Sequence, residues 1–496
     1  MSHTLLAVVD RLRHEGLLRQ DPALSLPPGA LLQGVTADSR QVERGFLFCA
    51  VRGNAGDGHR FLGAAAEAGA LAALVEEPEP DADLLQVRVN DGRLAAAFAA
   101  AAFYDDPWQE LTLVGVTGTN GKTTSVAVLR HLLSAAHPTA SIGTLGALGP
   151  DGKVVPGTEG LTTPGPVELA RWLRQLRDAG TEAVAMEVSS HALDQGRAAA
   201  ARFDAALFTN LTRDHLDYHG TLQAYRQAKL RLAELVKRGG AVVLNADEPA
   251  WSGVSARAAR VVRFGIDAPA EVRAEDVRSG PDGMEWMLRT PDGAEPVRLP
   301  LYGAYNVVNA LGAAAVLWSL GWAPDRIAEG LEALPQVPGR LERVAAPEGT
   351  APILVDYAHT PDALERALAA LRPLVTGRLI AVFGAGGDRD RGKRPEMGRV
   401  AAAGADLTIV TSDNPRTEDP EAILDDIERG MGDAPHRRIL DRREAIRAAI
   451  ESAAPGDLVL LAGKGHETYQ LWGTEHRHFD EREVVREIFA ERGEWT

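Results

Sequence analysis

Short apolar runs alternate with helix-length amphipathic stretches along most of the chain. Four runs in the central region are predicted to be buried strands, at residues 111–116, 183–188, 205–209 and 241–245. Helical patterns lie between these strands, as at 167–179 and 222–237. This alternation predicts a mostly parallel sheet with helices on both faces.

Two further α/β regions flank this centre. Residues 1–92 combine a predicted helix at 5–18 with several short strands, and residues 338–496 alternate strand and helix again. Between 260 and 300 the turn-rich sequence predicts an antiparallel hairpin attached to the central region. We therefore predict an α/β protein of three domains, with a central domain at 93–337 and a C-terminal domain with a Rossmann-like sheet.

The strand at 111–116 runs directly into a glycine-rich loop, TGTNGKTT at 117–124, and then into a helix. In this setting, backbone N–H groups and a helix N-terminus bind phosphate. Lys122 would supply a charge to the outer phosphates, and Thr123 would offer a hydroxyl to Mg²⁺. Val116 stands where the usual spacing has a glycine, so this is a variant phosphate loop. A glycine-rich turn without a ligand is the alternative.

Composition limits the partners that the protein can have. The chain has 496 residues, with 53 Lys and Arg against 69 Asp and Glu, and its formal net charge is −16. That balance argues against nucleic acid and anionic membranes as partners, but it leaves phosphorylated small molecules open. The single cysteine, Cys49, lies in an apolar run and is expected to be buried and inert. No segment resembles a signal peptide or has membrane-spanning length, so we expect a soluble cytoplasmic protein. Nothing in the pattern indicates an oligomeric state.

Polar side chains follow several predicted strands, where ligand sites form at the edge of a parallel sheet. Glu187 ends one such strand and could bind Mg²⁺, although a solvated carboxylate is the alternative. His215 and His219 are four residues apart, so they could share a metal or lie on an exposed helical face. Lys229 lies in a predicted helix, where a solvated charge is the ordinary outcome.

The C-terminal region contains a cluster of basic residues in an otherwise acidic protein. Its members are Arg389, Arg391, Lys393, Arg394 and Arg416. Guanidinium groups bind carboxylates through two parallel hydrogen bonds, so the cluster suggests a small substrate that carries a carboxylate. A scattered set of solvated charges is the alternative.

Ordered motifs over nearly the whole chain resemble the Mur ligase family. They are VTADSR, VTGTNGKTT, LTTP, MEVSSHAL, NLTRDHLDYHG, AYRQAK, GAYNVVNA, PGRLERV, DYAHTPD, GGDRDRGKRP, DNPR and AGKGHE. The resemblance implies an N-terminal UDP-binding domain, a central ATPase domain and a C-terminal domain that closes over the nucleotide. It also implies an ATP-dependent ligase that uses Mg²⁺. Such a ligase adds a diamino acid to UDP-N-acetylmuramoyl-L-alanyl-D-glutamate through an acyl phosphate, in peptidoglycan synthesis.

The same resemblance implies roles for individual residues. Contacts to the UDP part would come from Ser39, Asn54, Ala55 and Gly56. The ATP phosphates would be bound by Gly118, Thr119, Asn120, Gly121, Lys122, Thr123 and Thr124. Further nucleotide contacts would come from Asn306, Asn309, Arg343 and His359. The muramoyl-dipeptide would be bound by Thr162, Thr163, Ser189, Gln195 and Arg197. Mg²⁺ would be held by Thr123, Glu187, His215 and Lys229, with Lys229 carried as an anionic N-carbamate.

The resemblance places the amino-acid pocket in the C-terminal domain. Its residues would be Arg389, Asp413, Asn414, Pro415, Arg416, Gly463 and Glu467. The DNPR form favours meso-diaminopimelate, because arginines can pair with the distal carboxylate and Glu467 with the distal amine. L-Lysine or L-ornithine as the added amino acid is the nearest alternative, followed by a ligase like folylpolyglutamate synthetase. Two alternatives belong to other functional classes: a regulatory nucleotide switch or motor ATPase, and a non-catalytic scaffold.

Overall fold

The computed structural model describes residues 3–19, 29–53, 56–158, 160–255, 259–280 and 283–493. The chain forms two compact units, the first made of 1–272 with 311–323 and the second of 273–310 with 324–496. The domain boundaries predicted near 92 and 337 differ from this division, and they stay predictions. Of the helices that the structure describes, none combines the length and the apolar character needed to cross a bilayer.

The first unit begins with a four-stranded parallel sheet in which the strands lie in chain order. The predicted first helix is shorter than expected, because the chain leaves the helix at Glu15 and Gly16 takes a left-handed φ of 69°. Cys49 is buried as predicted, and burial raises the pKa of its thiol to about 12. The elements are α1 Leu5–His14, β1 Gly34–Thr36, β2 Phe46–Cys49, α2 Leu62–Glu67, β3 Ala72–Val75, β4 Leu85–Arg88 and α3 Gly92–Phe103.

The second sheet of the first unit is mostly parallel, in the order β11-β10-β9-β5-β8-β6-β7. Only its edge pair, β6 with β7, is antiparallel. The strands β5, β8 and β9 are almost wholly buried and mostly apolar, as expected for a sheet that helices cover on both faces. The predicted alternation of strand and helix is therefore confirmed. The elements are β5 Thr112–Thr117, α4 Lys122–Ser134, β6 Thr139–Gly143, β7 Gly146–Leu148, α5 Pro166–Asp178, β8 Ala183–Glu187, α6 Ser190–Asp194, β9 Phe203–Phe208, α7 Leu216–His219, α8 Leu222–Glu234, β10 Val236–Asn245 and β11 Arg260–Gly265.

Three antiparallel strands form where the hairpin was predicted. Helix α9, which follows them, has residues in both units. The elements are β12 Val272–Gly280, β13 Gly283–Thr290, β14 Gly293–Leu299, α9 Ala304–Ser319 and α10 Pro324–Glu332.

The C-terminal part of the second unit is a six-stranded sheet in the order β15-β16-β20-β17-β18-β19, parallel except for the edge strand β15. Apolar clusters of the second unit bury its two faces, which gives the expected Rossmann-like arrangement. A separate antiparallel hairpin, β21 with β22, follows the last parallel strand. The elements are β15 Glu342–Val344, β16 Ile353–Asp356, α11 Pro361–Leu371, β17 Leu379–Phe383, α12 Lys393–Gly404, β18 Leu407–Val410, α13 Pro420–Glu428, β19 His436–Arg438, α14 Arg442–Ser452, β20 Leu458–Ala462, β21 Tyr469–Trp472, β22 Glu475–His478 and α15 Glu481–Glu491.

Candidate active site

The glycine loop after β5 has a backbone that only glycine accommodates well. Gly118 has a φ of 152°, and a side chain there would overlap the Thr209 hydroxyl. Gly121 has a left-handed φ of 84° and is the residue from which α4 begins. The first N–H groups of that helix have no carbonyl partner within it, so the loop and helix together form a donor-rich end suited to an anion.

Two residues that the sequence reasoning did not select hold this loop in place. Asn210, which follows β9, accepts hydrogen bonds from the backbone N–H of Thr119 and of Asn120, at 2.8 Å and 2.9 Å. The Thr209 hydroxyl donates to the Asn120 carbonyl at 2.7 Å. Asn210 is the first residue of the motif NLTRDHLDYHG and Thr209 directly precedes it, so the position of that motif after a predicted strand was the signal that could have identified them. The phosphate loop is therefore supported by the neighbouring strand of the parallel sheet.

Two lysine amines converge on one carbonyl oxygen of the loop. Lys122 Nζ donates to the Gly118 carbonyl at 3.0 Å and to the Thr119 carbonyl at 2.7 Å. Lys229 Nζ donates to the same Gly118 carbonyl at 2.7 Å. Lys122 brings a positive charge to this end of the loop, which is what a polyphosphate requires.

Lys229 is 1% exposed, so the expectation of a solvated side chain is wrong. Helix α8 packs this residue inward, with its amine 4.3 Å from the centre of the Tyr225 ring. Burial, followed by the neighbouring Lys122, lowers the pKa of Lys229 well below its usual value. The neutral amine is the form that can react with carbon dioxide to give a carbamate.

Glu187 ends β8 and is a buried carboxylate, 1% exposed. Its two oxygens accept hydrogen bonds from the backbone N–H and the hydroxyl of Thr144, at 2.8 Å and 3.2 Å. No lysine, arginine or histidine of the described residues lies within ion-pair distance of it. A side chain at Gly143 would overlap this carboxylate, so glycine leaves the space in which Glu187 lies. A buried carboxylate with no basic partner suits a cation.

His215 is the N-cap residue just before α7, with a left-handed φ of 51°, and its side chain is 46% exposed. Burial lowers its pKa, and Lys122 and Lys229 contribute, although Asp214 opposes them. The imidazole is therefore neutral near pH 7, which is the form that binds metals. His219 lies within 3.0 Å of the Ser190 hydroxyl instead, and nothing in this geometry favours metal binding by the pair.

The donor set fits Mg²⁺ only when Lys229 is an anion. In the part of the chain that the structure describes, no group of three or more His, Cys, Asp and Glu residues is arranged to bind a metal. The predicted set relies instead on the Thr123 hydroxyl and a carbamate. The buried carboxylate of Glu187 and the neutral imidazole of His215 are compatible with such a site.

The residues predicted to bind the muramoyl-dipeptide form one hydrogen-bonded network beside Glu187. Thr163 donates to the Glu187 carbonyl at 2.9 Å and accepts from the Ser189 N–H at 3.0 Å. Arg197 donates to the Thr163 carbonyl at 3.0 Å and to Gln195 Oε1 at 2.7 Å. Two further members, Thr162 and Tyr218, extend the network through Thr144 and Gln195 respectively, at 3.2 Å each. The network thus brings these distant positions together at the carboxyl end of β8.

The residues predicted to contact UDP are only partly described. Ser39 begins a short 3₁₀ turn for which Asp38 is the cap. The Gly56 carbonyl accepts a hydrogen bond from the Gly53 N–H at 2.8 Å. Asn54 and Ala55 lie outside the described residues. The UDP contacts stay a prediction.

In the second unit, a buried lysine lies among the predicted amino-acid-binding residues. Lys464 Nζ donates to Asn414 Oδ1 at 3.1 Å and to Glu467 Oε2 at 2.9 Å. Asn414 also donates to Glu467 Oε2, at 2.9 Å. Burial opposes ionisation of Asp413, but Lys464 and Arg442 outweigh it and hold its pKa below the usual value. A side chain at Gly463 would overlap this carboxylate. Sequence reasoning quoted AGKGHE but did not select its lysine.

The basic cluster of the second unit divides into two kinds of residue. Arg394 is fully buried and pairs with Glu418 and Asp426, each at 2.8 Å, so its assignment to a substrate-facing cluster is wrong. Arg389 is exposed, and Arg416 is half-buried with Nη1 donating to the Gly387 carbonyl at 2.8 Å. Arg389 and Arg416, the two arginines of the cluster that were assigned to the amino-acid pocket, therefore remain candidates for binding a substrate carboxylate.

The predicted nucleotide contacts of the second unit lie on three elements. Asn306 and Asn309 are buried on α9, and Asn309 donates to Asn306 Oδ1 at 3.2 Å. Arg343 is an exposed residue of β15, and His359 follows β16. Their role in binding a nucleotide stays a prediction.

Three family models match consecutive parts of the chain. The Mur ligase family catalytic domain matches 31–104, the Mur ligase middle domain matches 116–317, and the Mur ligase glutamate ligase domain matches 339–465. A relative from Geobacter metallireducens, named UDP-N-acetylmuramoyl-L-alanyl-D-glutamate--2,6-diaminopimelate ligase, is 46% identical over 93% of this chain and 94% of its own length. The chain belongs to the Mur ligase family.

Other Mur ligases agree with this membership. A relative of the same name from Gloeobacter violaceus is 45% identical over 97% of this chain and 98% of its own length. A solved structure of a protein with that name has a TM-score of 0.67 and 34% identity, over 93% of this chain and 96% of the other. The MurF ligase from Thermotoga maritima, solved in complex with ADP, has a TM-score of 0.64 and 21% identity over 92% and 97%, and supports the fold alone. The predicted α/β fold of three Mur ligase domains is confirmed.

Proposed function

We propose that this Mur ligase joins 2,6-diaminopimelate, in its meso form, to the D-glutamyl carboxyl group of UDP-N-acetylmuramoyl-L-alanyl-D-glutamate. ATP is the phosphate donor. Three relatives that carry this name are 45–46% identical over nearly the whole chain, which supports the reaction and the amino acid together. The use of ATP also supports the cytoplasmic location expected from the sequence.

The observation that carries the proposal is the convergence of Lys122 and Lys229 on the Gly118 carbonyl, at the start of a donor-rich helix. A triphosphate bound there takes the ammonium of Lys122 as a donor, in place of the loop carbonyls. The charge that develops on the transferred phosphoryl group is then met by fixed donors that need little reorganisation.

The donor set for Mg²⁺ is Thr123, Glu187, His215 and a carbamate on Lys229. When bound, the ion supplies a positive charge that lowers the cost of bringing anions together. Two observations support this set. The buried Glu187 carboxylate is stabilised by a bound cation, and the lowered pKa of Lys229 provides the neutral amine from which a carbamate forms.

The reaction has two chemical steps. The D-glutamyl carboxylate attacks the γ-phosphorus of ATP, so that an acyl phosphate forms and ADP leaves. The amine of the incoming amino acid then attacks the acyl carbon and loses a proton. The new amide forms as phosphate leaves. Thr163, Ser189 and Arg197 hold the dipeptide, and Lys122 holds the phosphoryl group, so positioning does most of the work.

The experiment is phosphate release from ATP with UDP-N-acetylmuramoyl-L-alanyl-D-glutamate, run separately with meso-diaminopimelate, L-lysine and L-ornithine. We expect release that depends on both substrates and is fastest with diaminopimelate. Release that proceeds equally without any amino acid contradicts the ligase. Faster release with lysine or ornithine contradicts only the assigned amino acid.

A further inference from the structure

A lysine lies fully buried between the two loops that carry the predicted amino-acid-binding residues. Lys464 has a side-chain exposure of 0% and follows β20, whereas Asp413 and Asn414 follow β18. Its amine bonds Asn414 Oδ1 and Glu467 Oε2, and it lies 5.6 Å from the centre of the Tyr469 ring. An ammonium in such a place is costly unless its partners are fixed and anionic.

The two oxygens of the Glu467 carboxylate have different surroundings. Oε2 accepts from both Lys464 Nζ and Asn414 Nδ2, each at 2.9 Å. Among the described residues, no donor bonds Oε1. Asn414 is itself held, because its Oδ1 also accepts from the Leu471 N–H at 2.9 Å. One oxygen of Glu467 is thus fixed by the protein, and the other is left for a ligand.

We propose that Lys464 is a positioning residue for the diamino acid: it fixes Glu467 through Oε2 so that Oε1 can accept the substrate ammonium. This rests on the proposed function. Lys464 also sets the local charge, because Asp413, Glu467 and this lysine together carry a net charge of −1. That value matches one ammonium. Arg416 then remains for one carboxylate, so the charges complement an amino-acid end group.

The test is a double-mutant cycle between Lys464→Met and Glu467→Gln. Methionine removes the charge and the donor while keeping an unbranched side chain. We expect Lys464→Met to raise the KM for diaminopimelate about 10- to 100-fold, the effect of losing a hydrogen bond to a charged group. The KM for ATP should stay within about twofold. In the Glu467→Gln background, the same substitution should raise the KM for diaminopimelate less than about threefold.

Two further variants keep the test decisive. Lys464→Gln retains an N–H donor without the charge, so it should give a KM between wild type and Lys464→Met, and it replaces the methionine variant in the cycle if that one does not fold. Arg437→Met removes one exposed positive charge from the same unit and should leave every KM unchanged.

The outcomes separate the two hypotheses. Equal effects of the Lys464 substitution in both backgrounds, or equal changes in the KM for ATP and for diaminopimelate, overturn the role of Lys464. Wild-type phosphate release that ignores amino acids contradicts the proposed function instead. If the wild type turns over diaminopimelate normally but the effects of the Lys464 and Glu467 substitutions on its KM are additive, only the role of Lys464 is rejected.

Discussion

The two polar regions of the molecule treat buried charge in opposite ways. At the phosphate loop, Glu187 and Lys229 are each 1% exposed, and neither has an ion-pair partner among the described residues. In the second unit, the fully buried Arg394, Arg442 and Lys464 are each paired with at least one carboxylate. The first arrangement is costly without a ligand, whereas the second is satisfied by the protein itself.

This difference separates a site from its framework. Arg442, paired with Glu481 at 2.7 Å, also donates to the Ser412 and Ala462 carbonyls at 3.2 Å and 2.9 Å, directly before the loops of the amino-acid pocket. Such a residue holds backbone in place. Lys229 and Glu187 also bond backbone groups, at Gly118 and Thr144, but neither has an ion-pair partner among the described residues, which is what we expect of groups that bind a ligand.

The largest effect is expected where a paired buried charge is broken. Arg394→Met removes the buried partner of Glu418 and Asp426, whose other arginine neighbours, Arg391 and Arg429, are exposed, and it should lower the free energy of unfolding by about 3–5 kcal/mol, measured by urea denaturation. The folded fraction should keep the KM values for ATP and diaminopimelate. Arg391→Met is the matched control, because this side chain is 65% exposed and lies 3.5–3.6 Å from the same carboxylates. A raised KM for diaminopimelate without loss of stability would instead return Arg394 to the pocket.

The next largest effect is expected at Lys122, in the phosphate loop. Lys122→Met removes the charge that meets the transferred phosphoryl group, and kcat for phosphate release should fall about 100- to 1000-fold. The unfolding free energy should change less than in Arg394→Met, because two of the bonds that Lys122 makes go to neutral loop carbonyls. Lys153→Met, at a lysine with a side chain that is 86% exposed, should match wild type in both measurements. Equal losses in the two variants would contradict a role for Lys122 in catalysis.

A smaller effect is expected at Arg416, which is half-buried and is bonded to a backbone carbonyl. Its Nη1 donates to the Gly387 carbonyl, and its left-handed φ of 52° fixes the direction in which the side chain leaves the loop. Arg416→Lys keeps the charge but removes paired donation to a carboxylate, so kcat/KM for diaminopimelate should fall about 10- to 100-fold. The KM for ATP is the internal control. An equal change in that value would remove Arg416 from the amino-acid pocket.

Sequence reasoning succeeded where the backbone itself demands particular residues. Gly118 and Gly121 are needed for the conformation of the loop, and the apolar strands are needed for a sheet covered on both faces. These constraints are local, so the phosphate loop and the alternation of elements could be read directly. The order of motifs then indicated the family.

The same reasoning failed where the answer depends on partners that are distant in sequence. Arg394 and Arg416 looked alike within a basic cluster, but Arg394 faces Glu418 and Asp426 across the fold. Lys229 looked like a solvated charge, although α8 turns it onto the Gly118 carbonyl, 111 positions earlier in the chain. Lys464 was passed over for the same reason. Burial and pairing are tertiary properties that no spacing in the sequence specifies.

The smallest effect, and the sharpest test of the comparison, is the pH dependence of stability at Lys229. Because burial lowers the pKa of this amine in the folded protein, the unfolded chain takes up a proton that the folded protein does not. The resulting loss of stability is present below the unfolded pKa of about 10.4 and vanishes above it. In buffer free of carbon dioxide, Lys229→Met should therefore be more stable than wild type at pH 7, by about 1 kcal/mol or more. The gap in urea denaturation should narrow as the pH approaches about 10.4 and close above it. A variant that is less stable at both pH values would mean that Lys229 is held as a paired cation, and the contrast between the two regions would disappear.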